Sequence, residues 1–341
     1  MAATKDVHAQ REALLAQAAA ALDGRPGLYK RGWAMAGVDD AAEEATGVRI
    51  MQFNVLADGL SGLQEERGGF YAAPEGSLQF ETRKWRLLEE VLLADPDVLA
   101  MQEVDHFADW FEPMLAKVGY EGVFLKKANS PCLQFCDLED GVALFVRSSK
   151  LRLAAVEQIS FPDANQVALL ARAELPESGR ALTLAVTHLK ATKSAEGENI
   201  REGQAVHLLA KAKAFMQAGA GDAPLVVCAD LNAAPHDAKY PAKAWRAMMA
   251  ADLELASAYG GRSADSEPAY TTWKLRPGKE AKHTIDYIFY QPAALTVSST
   301  LAIPAEDVVV DVRLPSWEYP SDHFALAADF IFAPSSMAAD V

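Results

Sequence analysis

Leu225-Val226-Val227-Cys228-Ala229-Asp230-Leu231-Asn232 is the stretch whose reading decides the fold. A short apolar run with β-branched residues, closed three residues later by Pro235, predicts a buried strand. Residues two apart on a strand share a face, so Asp230 and Asn232 project together from its end. One offers a carboxylate and the other an amide, a pair suited to holding a water against a phosphate. Asp and Asn also stop strands and start turns without any chemistry, so the pair gains meaning only through repetition.

The repetition is present. Val48–Phe53 runs into Asn54, and Val98–Met101 into Gln102-Glu103-Val104-Asp105. Leu182–Val186 runs into Thr187-His188-Leu189-Lys190. His283-Thr284-Ile285-Asp286-Tyr287 opens a strand, and Tyr319-Pro320-Ser321-Asp322-His323 precedes the last one. Singly, Glu103 reads as a helix-start acid, His188 as a satisfied core histidine and Asp286 or Asp322 as a cap. Six coincidences of an apolar run with a carboxylate, amide or imidazole at its end or start instead place one polar site along a shared scaffold edge.

Between these strands the pattern alternates with helices. Phe80, Lys84, Leu87, Leu88, Val91 and Leu92 form a helical stripe ended by Pro96, and further helices are predicted over Phe107–Val118, Ile200–Met216 and Tyr240–Met249. Strands are predicted at 122–125, 142–146, 151–158, 167–174, 182–188, 284–290 and 324–332. The expectation is an α/β architecture with one large catalytic domain over residues 47–334. Residues 1–46 read as an N-terminal appendage with an Ala-rich helix near Asp6–Leu22 and a polar linker, and residues 335–341 as a tail.

The 341 residues are half hydrophobic and 23% charged, an ordinary globular composition. No apolar run is long enough to span a bilayer, so no membrane association is expected. The N-terminus lacks a secretory pattern and carries Asp6 and Glu12. Three cysteines make no even disulfide framework and no Cys-x-x-Cys zinc pair. The expected location is intracellular, in the cytoplasm, with an organellar leader left open. A net charge of −15 speaks against a grip on long nucleic acid and for a small phosphorylated substrate held locally.

The ordered set Asn54, Gln102-Glu103, His188, Asp230-x-Asn232, Asp286-Tyr287 and Ser321-Asp322-His323 resembles the endonuclease/exonuclease/phosphatase superfamily over residues 48–332. Within it, Ser130-Pro131-Cys132-Leu133, Thr187-His188-Leu189-Lys190-Ala191, Tyr270-Thr271-Thr272-Trp273-Lys274 and Leu314-Pro315-Ser316 are similar to the nocturnin-like branch and its deadenylase relatives. That resemblance implies a four-layer αββα sandwich of two packed mixed sheets and a metal-dependent phosphoesterase. It implies Glu103, Asn54 and Asp322 as ligands of Mg²⁺, with Mn²⁺ as a substitute. It implies Asp230 as base and water positioner, Asn232 beside it, His188 and His323 as electrostatic clamps, and Asp286 as the group orienting His323. Lys127, Asn165, Lys190, Lys274 and Arg276 are the implied substrate contacts.

The implied substrate is NADP(H), which would lose its 2′-phosphate, or another nucleotide or dinucleotide. The alternative is 3′-to-5′ removal of mononucleotides from an RNA 3′ end, and an inactive protein that kept the fold is a third reading. The chain departs from that branch at Thr192, where arginine is usual, at Ala229, and in a shorter loop from Cys132 to Asp140.

Overall fold

The computed structural model describes residues 2–36, 47–162, 165–219, 222–250 and 252–334. The tail expected at 335–341 and most of the polar linker lie outside the described residues. In chain order come α1 (Ala2–Ala21), β1 (Trp33–Met35), β2 (Gly47–Asn54), α2 (Phe80–Ala94), β3 (Val98–Val104) and α3 (Glu112–Ala116). Next are β4 (Tyr120–Lys126), β5 (Gly141–Arg147), β6 (Arg152–Ser160), β7 (Val167–Leu175), β8 (Arg180–His188) and α4 (Ala195–Ala218). The remainder are β9 (Leu225–Asp230), α5 (Lys243–Ala250), β10 (Ala256–Ser257), β11 (Thr272–Arg276), β12 (Lys279–His283), β13 (Asp286–Tyr290), β14 (Leu295–Leu301) and β15 (Leu326–Phe332).

Two mixed sheets form the centre. The first has seven strands in the order β1-β14-β15-β2-β3-β5-β4, the second six in the order β10-β13-β9-β8-β7-β6. Strands β2 and β3 pair in parallel, as do β8 and β9, and the other pairs are antiparallel. Successive side chains on a strand point to opposite faces, which is why each sheet buries both. Ile50, Val98 and Leu144 meet Leu169, Leu184, Val226 and Ile288 between the sheets. Met51, Phe53, Leu99 and Phe145 face outward under Leu87, Leu88 and Val91 of α2 and Leu14 of α1. Leu170, Ala185, Val227 and Phe289 pack under Leu208 and Ala212 of α4 and Met248 of α5. Each such aliphatic or aromatic side chain contributes about 1.5–3 kcal/mol when fully buried. The result is the expected four-layer helix–sheet–sheet–helix sandwich.

The stretch expected as an appendage is packed onto this body. Strand β1 adds to the edge of the seven-stranded sheet beside β14. Arg31 inserts beneath it, donating to Glu90 at 2.7 Å, to Ala302 O at 2.9 Å and to Ala325 O at 2.7 Å. The helix expected over Phe107–Val118 is shorter and opens with a wide π turn at Phe107–Phe111. Strand β14 and the β11–β12 ribbon were not expected at all.

Candidate active site

Register brings the polar strand ends together. Across the six-stranded sheet, Asp286 pairs with Asp230 and Asp230 with His188, giving a row of three from β13, β9 and β8. Across the seven-stranded sheet, Asn54 pairs with Gln102. Glu103 follows Gln102 at a register shift, where the chain takes φ +56°. Such a bulge re-aims a side chain, and a left-handed backbone at a non-glycine residue costs of order 1–3 kcal/mol. The strained turn aims Glu103 out of the pleat, where its Oε1 reaches 3.0 Å from Asn54 Nδ2.

Asn54 joins the two sheets. Its Nδ2 also donates to Asp230 Oδ2 at 2.9 Å, while its Oδ1 accepts from Leu56 N at 3.0 Å. The backbone contact fixes which end of the amide faces which way. The N–H side therefore meets the carboxylates, so here Asn54 braces Glu103 and Asp230 instead of offering them an oxygen.

The two histidines are in opposite states. His188 is 7% exposed, and burial lowers its pKa to about 4, with Lys127 pushing the same way against Asp230. Asn232 Nδ2 lies 2.9 Å from His188 Nε2 and 3.1 Å from Leu189 O. The carbonyl fixes Asn232 as the donor, so Nε2 accepts and the proton of the neutral ring sits on Nδ1. That Nδ1 is buried with no partner among the described residues, 3.9 Å from Glu103 Oε1. His323 is equally buried, but Asp286 and Asp322 outweigh the cost of burial and raise its pKa to about 9. Its Nδ1 lies 2.9 Å from Asp286 Oδ2 and 3.8 Å from Asp230 Oδ2. Asp286 also accepts from Thr271 Oγ1 at 2.6 Å and from Gln52 Nε2 at 3.1 Å. Burial raises the pKa of Asp230, which makes it a better proton acceptor than an exposed aspartate.

Oxygen and nitrogen donors of Glu103, His188 and Asp230 converge within 4.8 Å of one another, and so do those of Asp230, Asp286 and His323. The first group suits a divalent cation through the Glu103 carboxylate with the Asp230 carboxylate beside it, while the unpartnered His188 Nδ1–H is a donor and not a ligand. Asp322 stands apart from it. Lys274 contacts its Oδ2, and Arg276 lies 3.4 Å from the same oxygen. Burial opposes its ionisation, yet Lys274, His323 and Arg276 hold its carboxyl well below the usual range.

The expected substrate contacts divide. Lys274 and Arg276 lie on β11 at the edge of the cluster, and the Arg276 guanidinium covers Phe70 at 4.0 Å. Lys127 is 6% exposed and ion-paired with Asp140, which Ser130 also contacts. Lys190 is held through its backbone by Gln204 at 3.0 Å and Arg201 at 2.6 Å. Asn165 Oδ1 accepts from Asn129 N at 2.7 Å, fastening the β6–β7 loop to the loop that carries Lys127.

Three supporting residues escaped the sequence reading. Gln52 and Thr271 hold Asp286, as described above. Arg83 is 1% exposed and donates to Val55 O at 3.1 Å, Leu56 O at 2.8 Å, Leu78 O at 3.3 Å and Pro320 O at 2.9 Å. It ties together the loops after Asn54 and before Asp322. Its signal was legible: Arg83 sits three residues after Phe80 and four before Leu87, a charge on the apolar stripe.

Residues 51–323 match the Endonuclease/Exonuclease/phosphatase family. Nocturnin of Homo sapiens is 40% identical over 338 residues, spanning 95% of this chain and 74% of that protein. The Ccr4 3′-5′-exoribonuclease subunit of the CCR4-Not complex of Emericella nidulans is 26% identical, spanning 86% of this chain and 53% of that one. The solved catalytic domain of human Nocturnin with bound sulfate superposes with a TM-score of 0.72 at 36% identity, covering 91% of this chain and all of that one. ANGEL2, a 2′,3′-cyclic phosphatase, shares the fold at 22% identity, with a TM-score of 0.72 over 89% of this chain and 98% of its own. The chain is a phosphate-ester hydrolase that belongs to the endonuclease/exonuclease/phosphatase family, on its nocturnin-like branch.

Proposed function

We propose that this chain removes the 2′-phosphate from NADP(H) or a closely similar nucleotide, using Mg²⁺ with Mn²⁺ as a substitute. The observation that carries the reading is the placement of Lys274 and Arg276 on Asp322, directly beside His323. A compact cationic corner next to a charged imidazole suits a dianionic phosphate on a small molecule. In a chain of net charge −15, a long polyanion gains little beyond that corner.

Glu103 would hold the metal, with the Asp230 carboxylate beside it left to act as the base. When bound, the ion supplies positive charge to the nonbridging phosphate oxygens. The chain's own groups do the rest. Asp230 accepts the proton of the attacking water, its basicity raised by burial. Asn232, whose N–H is anchored on Asp230 Oδ1 at 2.9 Å, keeps that carboxylate aimed. His188 donates from its free Nδ1, and protonated His323 donates from Nε2 to charge that develops on the phosphate. The protein is expected to work in the cytoplasm.

The second reading is mononucleotide release from an RNA 3′ end, supported by likeness to the 3′-5′-exoribonuclease subunit Ccr4 of Emericella nidulans. Side-by-side assays decide between them: orthophosphate from NADP⁺ against adenylate from oligo(A), each with added Mg²⁺. The proposal expects orthophosphate, abolished in Glu103→Ala and Asp230→Ala. Adenylate without orthophosphate selects the RNA reading, and near-normal turnover by either variant removes this site from the chemistry.

A further inference from the structure

The chain leaves β2 through a tight turn whose N–H groups are collected by carboxylates at the end of β3. Leu56 takes φ +58°, and a 3₁₀ turn follows over Asp58–Leu60. Ala57 N donates to Glu103 Oε2 at 3.3 Å, and Gly59 N donates to Asp105 Oδ2 at 3.0 Å. The first contact completes the hold on Glu103. Its Oε1 already accepts from Asn54 Nδ2 at 3.0 Å, so both oxygens have a donor and the plane of the carboxylate is set. Glu103 needs that hold, because it stands on a bulge with left-handed backbone and the pleat of the strand does not aim it.

The second contact involves a carboxylate that the chemistry leaves unused. Asp105 is 6% exposed and stands outside both groups of converging donors. Burying a carboxylate costs free energy that one amide donor only partly offsets. What it holds is a glycine with no room to move. A Cβ on Gly59 would lie 2.6 Å from Cys132 Cβ and 2.9 Å from Cys132 Cα, far inside contact distance. Cys132 is itself fully buried, with its N–H on Ser130 Oγ at 3.2 Å. Gly59 is therefore clamped between Asp105 and Cys132. Arg83 fixes the start of the same turn by donating to Val55 O and Leu56 O. Between those two anchors lies Ala57, whose N–H faces Glu103.

We propose that Asp105 is a positioning residue for the metal carboxylate: by holding Gly59 N–H it keeps Ala57 N–H on Glu103 Oε2. Asp105 acts only through the turn. Without its hydrogen bond the segment from Ala57 to Gly59 is free to swing, and Glu103 keeps one donor, Asn54, in place of two. A carboxylate with one donor turns about that bond and loses the orientation that a divalent cation needs, because groups that orient a metal's ligands set its affinity. The inference rests on Glu103 as the metal ligand, and the variants below separate the two.

The test titrates Mn²⁺ into the full metal-free chain, without substrate, and reads free Mn²⁺ by electron paramagnetic resonance. Asp105→Ala is expected to weaken binding about tenfold, the lower end for a group that orients a metal ligand. Asp105→Asn keeps an oxygen that accepts from Gly59 N–H and should bind within about twofold of wild type. Gly59→Ala displaces the same N–H with Asp105 intact and should also weaken binding. A merely structural role would lower the urea midpoint of Asp105→Ala and leave the Mn²⁺ affinity of the folded protein unchanged. Wild-type affinity in Asp105→Ala or in Gly59→Ala overturns the proposal. So does Asp105→Asn binding as weakly as Asp105→Ala, since the charge and not the hydrogen bond would then carry the effect. Glu103→Ala is the reference. If it loses Mn²⁺ while Asp105→Ala binds normally, the ligand reading stands and the inference alone falls; if it binds like wild type, the ligand reading falls and takes the inference with it.

Discussion

His323 Nδ1 lies 2.9 Å from Asp286 Oδ2, and this contact crosses from the loop before one sheet's β15 to the first residue of the other sheet's β13. Asp286 is 1% exposed and has two further donors, Gln52 and Thr271, so its carboxylate cannot turn away. It both aims the ring and keeps it charged. In Asp286→Asn the amide oxygen still accepts the Nδ1 hydrogen bond, but the charge that favours imidazolium is gone. The expected result is a fall in kcat of about 10²–10³, the usual cost of one preorganised donor, with KM little changed. Steady-state kinetics near pH 7 check this, and an unchanged kcat would take the pair out of the machinery.

Arg83 reaches the same chemistry from a distance. Its guanidinium is buried with four backbone carbonyls and no ion-pair partner among the described residues, so burial lowers its pKa. Lysine has one ammonium and cannot reproduce the planar fork. Arg83→Lys leaves carbonyls of Val55, Leu56 or Pro320 unpaired, at about 1–3 kcal/mol for each one left without water. The expected outcome is a lower urea midpoint together with a reduced kcat, since the loops carrying Asn54 and Asp322 lose their common tie. A stability loss with full activity would make Arg83 a purely structural anchor.

The strand ends that hold the cluster were legible because apolar runs change to polar residues there. Strands β2, β3, β8, β9 and β13 all follow that rule, and their order implied the site before any geometry. Strand β14 was not legible because its register shifts between Val297 and Ser299, and Ser298 and Ser299 are buried where apolar residues are expected. The β11–β12 ribbon escaped because half of its ten residues are charged and its two strands pair with each other, outside the two large sheets. At the site, residue types were readable but orientations were not. The bulge at Glu103 and the amide orientation of Asn54 depend on backbone φ and on Leu56 N, which leave no mark in composition. Lys127 has the residue type of a phosphate contact, and the partner that occupies it, Asp140, is thirteen residues away.

Lys274 and Asp322 depend on each other. Asp322 is 2% exposed, so Lys274→Ala leaves a buried carboxylate with only the more distant Arg276, at 3.4 Å, and His323, at 3.8 Å, opposite it. Breaking a buried pair from one side typically costs about 3–5 kcal/mol, more than the pair is worth as a whole. Lys274→Ala is therefore expected to be markedly less stable than the double variant Lys274→Ala/Asp322→Asn. Both should lose activity, because the cationic corner is gone in each. Denaturant midpoints of the four proteins in the cycle give the coupling, and additive losses would show that the two groups do not interact.

Glu267 gives a pH signature away from the catalytic cluster. It is 8% exposed, and burial raises its pKa to about 7 against the hydrogen bonds from Ser257 Oγ at 3.0 Å and Trp245 Nε1 at 3.3 Å. His236 and Tyr287 are the other titratable groups that feel it. An unfolded glutamate ionises near 4.3, so between about pH 4.3 and 7 the folded chain holds a proton that the unfolded chain has released. Stability then falls as pH rises through that window and levels off above it, by at most roughly 4 kcal/mol. Glu267→Gln stays neutral throughout and lacks this loss. The urea midpoint at pH 8 relative to that at pH 5 should be higher in the variant than in wild type, because every other group titrates alike in both. Parallel changes in the two proteins would mean that Glu267 ionises in the folded chain as readily as in the unfolded one.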